Sequence, residues 1–279
     1  MNRRKVLKTL GRLGAIGVVL GGYAWQVEPF WLEFVKVKMP IKNLPSHLEG
    51  KTVMQISDLH VGNRFDRRYL MDSLKKAQAF NPDFVVYTGD FVSYESAQQF
   101  AQLGEVIPSF VKGTMGTIGV LGNHDYGKNW REPKVADHIE NILTQNGLTM
   151  LRNAQTNVNG LNIIGLDDYW GTNFEPQNVM PAVDLKQANL LLCHNPDVCD
   201  LSVWHGYDSW ILSGHTHGGQ VKPPFLDAPL LPVTNKKYTA GQFDFEDGRT
   251  LYINRALGHL WQVRFNVRPE ITLFTMQKA

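Results

Sequence analysis

Two short segments of this chain present metal-binding side chains two positions apart. Asp58 and His60 form the first pair, and His215 and His217, inside a Gly-His-Thr-His-Gly segment, form the second. In an extended segment, side chains two residues apart project from the same face, so both members of a pair can reach one ligand. A carboxylate and imidazoles presented in this way are typical of a site for a divalent transition metal.

Three more polar residues with ligand chemistry each follow a short apolar run. They are Asp90, after Thr88-Gly89, and then Asn123 and His194. Any one of them alone would be explained by a turn or by a core histidine with its hydrogen bonds satisfied. In an open α/β sheet, however, the functional crevice lies outside the carboxyl ends of the strands. Five predicted strands that end in such residues, Asp58 and His215 included, therefore indicate one shared site.

The donor atoms at these positions are nitrogen and oxygen, without thiolate. Such a set favours Zn, Mn or Fe over Ca or Mg. A carboxylate has two oxygens and can bridge two cations, and seven ligands with one shared suit two ions about 3.5–4 Å apart. We therefore expect two divalent metal ions (Mn, Zn or Fe). Two such ions acidify a shared water, so that a bridging hydroxide is available to attack phosphorus near neutral pH.

Apolar runs alternate with helical patterns along the rest of the chain, which is typical of sheets covered by helices. Helices are predicted around 69–79, from about 96, and at 132–145. Strands are predicted at 53–57, 84–88, 116–121, 161–166, 190–193, 210–212, 251–254, 260–265 and 271–276. No internal repeat or long linker interrupts residues 35–279, which we interpret as one catalytic domain.

The N-terminus, residues 1–34, reads as an export signal or a membrane anchor. Arg3 and Arg4 open a basic head that resembles a bacterial twin-arginine signal, and an apolar stretch over 13–25 follows. That stretch is short for a span of about 20 residues, and the aromatic residues that follow favour an interfacial, uncleaved anchor. A helix packed on the catalytic domain is the alternative. We expect the protein to be associated with the bacterial inner membrane. The sequence is compatible with either side of this membrane, and export of the catalytic domain is one of the two alternatives.

In order, the motifs Asp58-x-His60, Gly89-Asp90, Gly122-Asn123-His124-Asp125, His194 and Gly214-His215-x-His217 resemble the calcineurin-like metallophosphoesterase superfamily. Within it, the segments 56–60, 214–220 and 254–258 look like a bacterial membrane-associated branch that includes twin-arginine-exported phosphodiesterases and the enzyme that cleaves UDP-2,3-diacylglucosamine. The resemblance implies an α/β fold, a four-layer α/β/β/α sandwich of two mixed sheets flanked by helices. It also implies a single domain after the anchor.

The resemblance assigns roles to individual positions. The first metal would be held by Asp58, His60 and His217. The second would be held by Asn123, His194 and His215, with Asp90 as the bridge.

Two more residues would act on the reaction without binding metal. His124 would face the scissile phosphate and protonate or stabilise the leaving oxygen. Asp125 would orient His124, as carboxylates beside imidazoles commonly do. The implied activity is hydrolysis of a phosphodiester or pyrophosphate at the membrane, with a nucleotide-linked lipid such as UDP-2,3-diacylglucosamine as a candidate substrate.

Charge and motif spacing exclude two other classes of function. The formal net charge is only +2, and basic residues gather at the N-terminus, so we expect no nucleic-acid partner. A metallo-β-lactamase-type hydrolase would need a His-x-His-x-Asp-His block, whereas His217 is followed by Gly-Gly-Gln. Two alternatives remain, a phosphomonoesterase and an inactive membrane-associated scaffold, and we expect the protein to be a monomer.

The pocket is predicted to form from loops 125–131, 167–174 and 221–237, with the aromatic candidates Tyr126, Trp130, Tyr169 and Trp170.

Overall fold

A computed structural model describes residues 3–64 and 66–279 of the chain. The α-helices of this part are α1 (Arg3–Gln26), α2 (Arg67–Gln78), α3 (Gln98–Val106) and α4 (Pro133–Gln145). The strands are β1 (Glu33–Ile41), β2 (Thr52–Ile56), β3 (Phe84–Thr88), β4 (Gly116–Val120), β5 (Thr149–Met150), β6 (Ala154–Val158), β7 (Leu161–Gly165), β8 (Ala188–Leu192), β9 (Trp210–Ser213), β10 (Gly241–Asp244), β11 (Thr250–Ile253) and β12 (Glu270–Lys278).

These strands form two six-stranded mixed sheets. The first sheet has the order β1-β12-β2-β3-β4-β5, and the second has the order β10-β11-β9-β8-β7-β6. β2, β3, β4 and β5 run parallel in the first sheet, and β7, β8, β9 and β11 run parallel in the second. The parallel strands therefore bring their carboxyl ends to one edge of each sheet.

The two sheets pack face to face through a buried apolar layer, to which Phe84, Leu190 and Phe274 contribute. On its other face the first sheet is covered by α2, α3 and α4, through side chains such as Leu70 and Ile139. The predicted four-layer α/β/β/α sandwich is confirmed. Its fourth layer consists of short 3₁₀ turns, because most of the segments that cover the second sheet begin with a proline near their first position and run for only three to five residues: Pro176–Asn178, Met180–Ala182 and Pro196–Asp200.

The strand expected over 260–265 does not form, which corrects the sequence interpretation. Only Phe265 makes a β-bridge, to Val221, and the amide of Arg264 instead donates to the carbonyl of Ala24 in α1. Conversely β1, which pairs with β12, was not predicted. Its exposed lysines, Lys36 and Lys38, break the apolar run that identifies a buried strand, as is common in edge strands.

Helix α1 stands clear of the body of the protein along most of its length. It is long and apolar enough to cross a membrane, judged by length and composition, and the apolar window within it has no buried share. Its 24 residues correspond to about 36 Å, more than the ~30 Å of a bilayer core. From the sequence, the apolar stretch over 13–25 was judged too short to span a bilayer. The helix that contains this stretch begins earlier, at Arg3. The alternative of a helix packed on the catalytic domain does not describe this arrangement.

Candidate metal centre

Candidate ligands follow strands of both sheets at the edge where the parallel strands end. Asp58 follows β2, Asp90 follows β3 and Asn123 follows β4, while His194 and His215 follow β8 and β9 of the second sheet. Backbone hydrogen bonds join neighbouring segments beyond the strands, including one from the amide of Asp58 to the carbonyl of Gly89 and one from Gly214 to His194. All five candidates are buried.

The structure gathers these residues into two adjoining groups, Asp58–His60–His217 and Asp90–His194–His215, each with ligand atoms within 4.8 Å of one another. In the first group, His217 Nε2 lies 3.2 Å from Asp58 Oδ1 and 3.0 Å from His60 Nε2. In the second group, His194 Nε2 lies 3.1 Å from Asp90 Oδ2 and 3.2 Å from His215 Nδ1.

Asp90 connects the two groups, because its Oδ2 is also 3.6 Å from His60 Nε2. The grouping follows the division into two metals that the resemblance implied. The role of each residue as a metal ligand stays a prediction.

The hydrogen bonds of the histidines support a metal fit. The far nitrogen of each second-group ring meets a backbone carbonyl: His194 Nδ1 lies 2.7 Å from the Thr88 oxygen, and His215 Nε2 lies 2.6 Å from the Pro232 oxygen. Each far nitrogen must therefore carry the proton and donate it. The near nitrogens of the two rings are 3.2 Å apart, so in neutral rings their lone pairs would repel each other, and a proton or a metal ion is needed between them. A cation between them removes this repulsion, and such outer hydrogen bonds are typical of metal-binding histidines.

Two more polar atoms lack a protein partner at this position. Asn123 Oδ1 and His217 Nδ1 are buried and accept or donate no hydrogen bond within the described part of the chain. Leaving a buried acceptor unpaired costs about 1–3 kcal/mol. Asn123 lines the same cavity as Asp90 and His215, so its free oxygen fits the second predicted metal.

The backbone that carries the ligands is itself strained. Asp58, His60, Asp90, His215 and His217 all adopt the left-handed region, with φ between 50° and 70°. This conformation costs a residue with a side chain roughly 1–2 kcal/mol, and such strain clusters at functional sites.

Close approach also explains two of the glycines beside the ligands. A Cβ on Gly122 would lie 2.3 Å from Asp90 Oδ1, and one on Gly214 would lie 2.3 Å from Asp58 Oδ2. The glycines that sequence analysis noted beside the ligands therefore make room for the carboxylates.

Charges within the groups shift proton affinities in opposite directions. Burial alone would lower the pKa of His194, but the nearby Asp90 carboxylate raises it well above its usual value. Burial would likewise raise the pKa of Asp58, but His217 and His194 lower it below its usual value. The carboxylates are therefore ionised and attract positive charge into the centre. A bound cation would compete with the proton on His194, as metal binding generally competes with protons.

His124 lies beside the groups without belonging to either. Its ring packs edge-on to His60 at 5.1 Å, and it lines the cavity as a half-buried residue. The expected contact with Asp125 is not formed. Asp125 Oδ2 accepts from the amide of Gly122 and Oδ1 accepts from the amide of Val92. This carboxylate therefore holds the backbone turn that carries His124, because two buried amides compete for it more effectively than the half-buried ring.

A cavity of about 750 Å³ opens from the two groups to the surface. Trp130 and Trp170 stack at 4.8 Å on one wall, and Trp170 meets His215 edge-on at 4.5 Å. The other two aromatic candidates lie elsewhere: Tyr126 is fully buried and receives a hydrogen bond from Arg152, and Tyr169 packs on Phe174.

Sequence reasoning missed Asp168. Burial is the main cause that raises its pKa to about 7. Its Oδ1 accepts the amides of Trp170 and Gly171, so Asp168 anchors the loop that bears the stacked tryptophan, while Oδ2 has no partner in the described chain. An Asp in a predicted loop after an apolar run was the available signal. It looked no different from an ordinary turn residue.

Arg264 secures the loop behind Asp58. This fully buried guanidinium donates to the carbonyls of Arg255, Val267, Ala256 and Gly258, and the amide of Gly258 donates in turn to the Asp58 carbonyl. Burial lowers the pKa of Arg264 to about 10, so it remains charged at neutral pH.

Replacing this arginine tests its importance for stability. We expect Arg264→Ala to lower the free energy of unfolding by about 3 kcal/mol, since several buried carbonyls lose their donor. Urea denaturation followed by circular dichroism measures the change. Arg131→Ala, at an exposed position, is the control and should change stability by less than about 0.5 kcal/mol. Equal midpoints for the two variants would contradict the assignment.

Comparison with known proteins identifies the family. Residues 51–219 match the model of the calcineurin-like phosphoesterase family. The chain is 30% identical to the uncharacterized metallophosphoesterase YkuE of Bacillus subtilis strain 168, over 100% of this chain and 99% of the relative. It is 27% identical to the phosphodiesterase YaeI of Escherichia coli K12, over 91% and 92% of the two chains. It is also 27% identical to the UDP-2,3-diacylglucosamine pyrophosphatase LpxG of Chlamydia trachomatis, over 96% of each. The protein thus belongs to the calcineurin-like phosphoesterase family and is a phosphoric ester hydrolase of the metallophosphoesterase type.

Proposed function

We propose that this hydrolase is a dinuclear, metal-dependent phosphodiesterase or pyrophosphatase that acts at a membrane surface. The observation that carries the proposal is the close grouping of the near nitrogens of His194 and His215, 3.2 Å apart, beside the carboxylate of Asp90 that reaches both groups of ligands. A proton on His194 would offset only one of the two negative charges of Asp58 and Asp90, whereas two divalent cations would offset both and would be bound by the imidazoles as well.

The candidate ligands would bind two cations. Asp58, His60 and His217 would hold one cation, Asn123, His194 and His215 the other, and Asp90 both. When bound, the two ions would neutralise phosphate oxygens and supply an activated water.

His124 would deliver a proton to the leaving oxygen, because its half-buried ring borders both the ligand groups and the cavity. Trp130 and Trp170 would orient the group attached to the phosphate, since their stacked rings form a rigid apolar wall.

A diester or pyrophosphate linkage is favoured over a monoester. The body of the protein carries little net charge, and a monoester brings more negative charge into the pocket. The relatives also include a phosphodiesterase and a UDP-2,3-diacylglucosamine pyrophosphatase. The cavity, whose walls are largely apolar side chains, would suit a lipid-linked substrate such as a UDP-diacylglucosamine.

A hydrolysis screen tests the proposal. Purified protein with Mn or Zn supplied should cleave phosphodiesters and nucleotide-lipid pyrophosphates faster than phosphomonoesters, and chelation should abolish all cleavage. Faster cleavage of monoesters would favour the phosphomonoesterase alternative. Protein that holds no metal and cleaves nothing would instead be the inactive scaffold.

The basic residues at the start of α1 indicate how the helix would be oriented in a membrane. Arg3, Arg4, Lys5 and Lys8 precede the apolar part of the helix, and basic flanks generally stay on the cytoplasmic side of a membrane. We therefore place the N-terminus in the cytoplasm and the catalytic domain on the outer face of the bacterial inner membrane, which is also where a twin-arginine signal would deliver it.

Removing the helix separates anchoring from catalysis. Residues 2–22 are the suitable deletion, because Ala24 and Trp25 accept hydrogen bonds from Arg264 and Gln262 of the catalytic body. The truncated protein should move to the soluble fraction, because it loses most of the apolar surface that lipid would cover. Cleavage of a small soluble diester should remain nearly unchanged, while cleavage of a bilayer-embedded substrate should slow.

Cell fractionation and rates on both substrates measure the two effects. Full-length protein that fractionates as soluble would contradict the anchor. An equal loss on both substrates would show that the deletion damages the catalytic domain, and would contradict the separation of roles.

A further inference from the structure

Large apolar side chains that are mostly exposed occur in only two regions of the described chain. One is α1 with the residues that follow it to Trp31, and the other is a set that we call the collar: Phe225, Leu226, Leu230 and Trp261. Phe225 is fully exposed, and the other three collar side chains are 64%, 79% and 69% exposed. Exposed apolar patches of this kind commonly mark interaction sites.

The collar is joined to the last turn of α1. The amide of Arg264 donates to Ala24, and the side chain of Gln262 donates to Trp25, so the loop with Trp261 is tied to the helix end. The loop with Phe225 continues this surface, because the amide of Lys222 donates to the carbonyl of Phe265. If α1 spans a bilayer, these loops lie at the level where the helix leaves it.

The composition of the loops suits a lipid surface. Across 221–232 and 260–263 the charged residues are Lys222 and Asp227 alone, and four of the loop positions, 223, 224, 229 and 232, are proline. Phe225 has φ 66°, a left-handed backbone that is unusual for an aromatic residue. The loop thus holds an aromatic side chain away from the protein at a cost in backbone energy, which burial in lipid would offset. Arg64 stands 5.4 Å over the Trp261 ring, an arrangement compatible with the headgroup region.

The collar also borders the entrance of the active-site cavity. Leu230 and Trp261 line the same cavity as His124 and His217, whereas Phe225 and Leu226 project outside it. An apolar surface around the mouth would hold the opening against the membrane, where a lipid-linked phosphate could enter without crossing water.

We propose that the collar is a second membrane contact, which inserts into the lipid bilayer and seals the mouth of the active site against it. This inference rests on the proposed function for its substrate but not for its geometry. The partner that we propose for the collar is the surface of a lipid bilayer. A second copy of this chain, which would also cover an apolar patch, is an outcome of the test.

Site-specific fluorescence tests the insertion on the full-length protein. Phe225→Cys, Leu226→Cys and the control Leu185→Cys would be labelled with an environment-sensitive dye. The native thiols of Cys193 and Cys199 are buried and so escape labelling. Leu185 is partly exposed and precedes β8, at the end of the second sheet opposite the site. The proteins would be placed in nanodiscs of phosphatidylcholine and phosphatidylglycerol that carry spin-labelled acyl chains.

We expect a blue shift and strong quenching at positions 225 and 226 and neither at 185, in discs that hold one copy each. Labels at 225 and 226 that stay as aqueous as the one at 185 would overturn the proposal. Shielding that appears only in discs with two copies would also overturn it, in favour of self-association.

An activity comparison addresses the consequence. The double variant Phe225→Ser/Leu226→Ser should cleave a vesicle-embedded diacylglycerol nitrophenyl phosphodiester about tenfold more slowly, since two apolar side chains no longer enter lipid. It should cleave soluble bis(nitrophenyl) phosphate at the wild-type rate, and Leu185→Ser should match wild type on both. Equal rates for the double variant and wild type on the embedded substrate would refute the collar's role in substrate access. Wild-type protein that cleaves neither substrate with Mn or Zn would refute the proposed function, while the quenching result would still decide the collar.

Discussion

An Asp90→Asn variant is expected to lose hydrolysis by at least about 10³-fold, on the scale of removing a principal electrostatic group from an active site. Asp90 Oδ2 lies 3.1 Å from His194 and 3.6 Å from His60, so this one carboxylate can reach both predicted metal positions. Its other oxygen accepts the amide of His124 at 2.8 Å. An uncharged amide would neither neutralise nor bridge two cations, so both sites should lose affinity.

Steady-state kinetics and elemental analysis of the purified variant measure these effects together. We expect two transition-metal ions per wild-type chain and fewer than two in the variant. Asp83→Asn is a suitable control, because Asp83 precedes β3 at the opposite end of the first sheet. Its carboxylate bonds Lys51 and Thr52, far from the candidate ligands. Full metal content together with full activity in Asp90→Asn would contradict the bridging role.

A His124→Ala variant is expected to keep its metals and lose turnover by about 10²–10⁴-fold, the usual contribution of a positioned general acid. Its ring packs 5.1 Å from the His60 ring and belongs to neither group of ligands, so removing it should leave metal binding intact. The loss should be largest for diesters with poor leaving groups, because nitrophenolate departs without needing a proton.

Rates over a series of diesters with leaving groups of increasing pKa check this expectation. The plot for the variant should be steeper than that for wild type. His47→Ala, at an exposed histidine before β2, is the control and should follow the wild-type line. An unchanged rate on the poorest leaving group would exclude His124 from the proton transfer.

The fold and the general position of the site could be predicted from local pattern. Asp58, Asp90 and His194 each follow a short apolar run, and the carboxyl ends of parallel strands share one edge of a sheet. Side-chain types and spacing therefore indicated an α/β fold with a metal site where its strands end, and the resemblance to a known family implied the two sheets and the hydrolase activity. The glycines beside the ligands were visible as well, because a close backbone approach leaves room for no other residue.

Sequence pattern gave wrong predictions where a residue has two possible hydrogen-bond partners. Asp125 stands beside His124 in sequence, yet its carboxylate bonds the amides of Gly122 and Val92. The apolar run at 260–265 matched a strand, but Arg264 directs its backbone and guanidinium towards other loops. Hydrogen-bond competition between distant segments decided both cases, and periodicity carries no information about it.

The sequence by itself determined which atoms could bind metal, where the strands that carry them end, and that an apolar, basic-headed segment precedes the domain. Only the tertiary structure decided that the near nitrogens of His194 and His215 lie 3.2 Å apart, and that the Asn123 oxygen has no partner among the described residues. The same is true of the exposed collar beside the end of α1. The physical reason is that residue type sets what a side chain can do. Which nitrogen holds the proton, and which apolar surface stays uncovered, depends on how two sheets pack and on which distant carbonyl each ring meets.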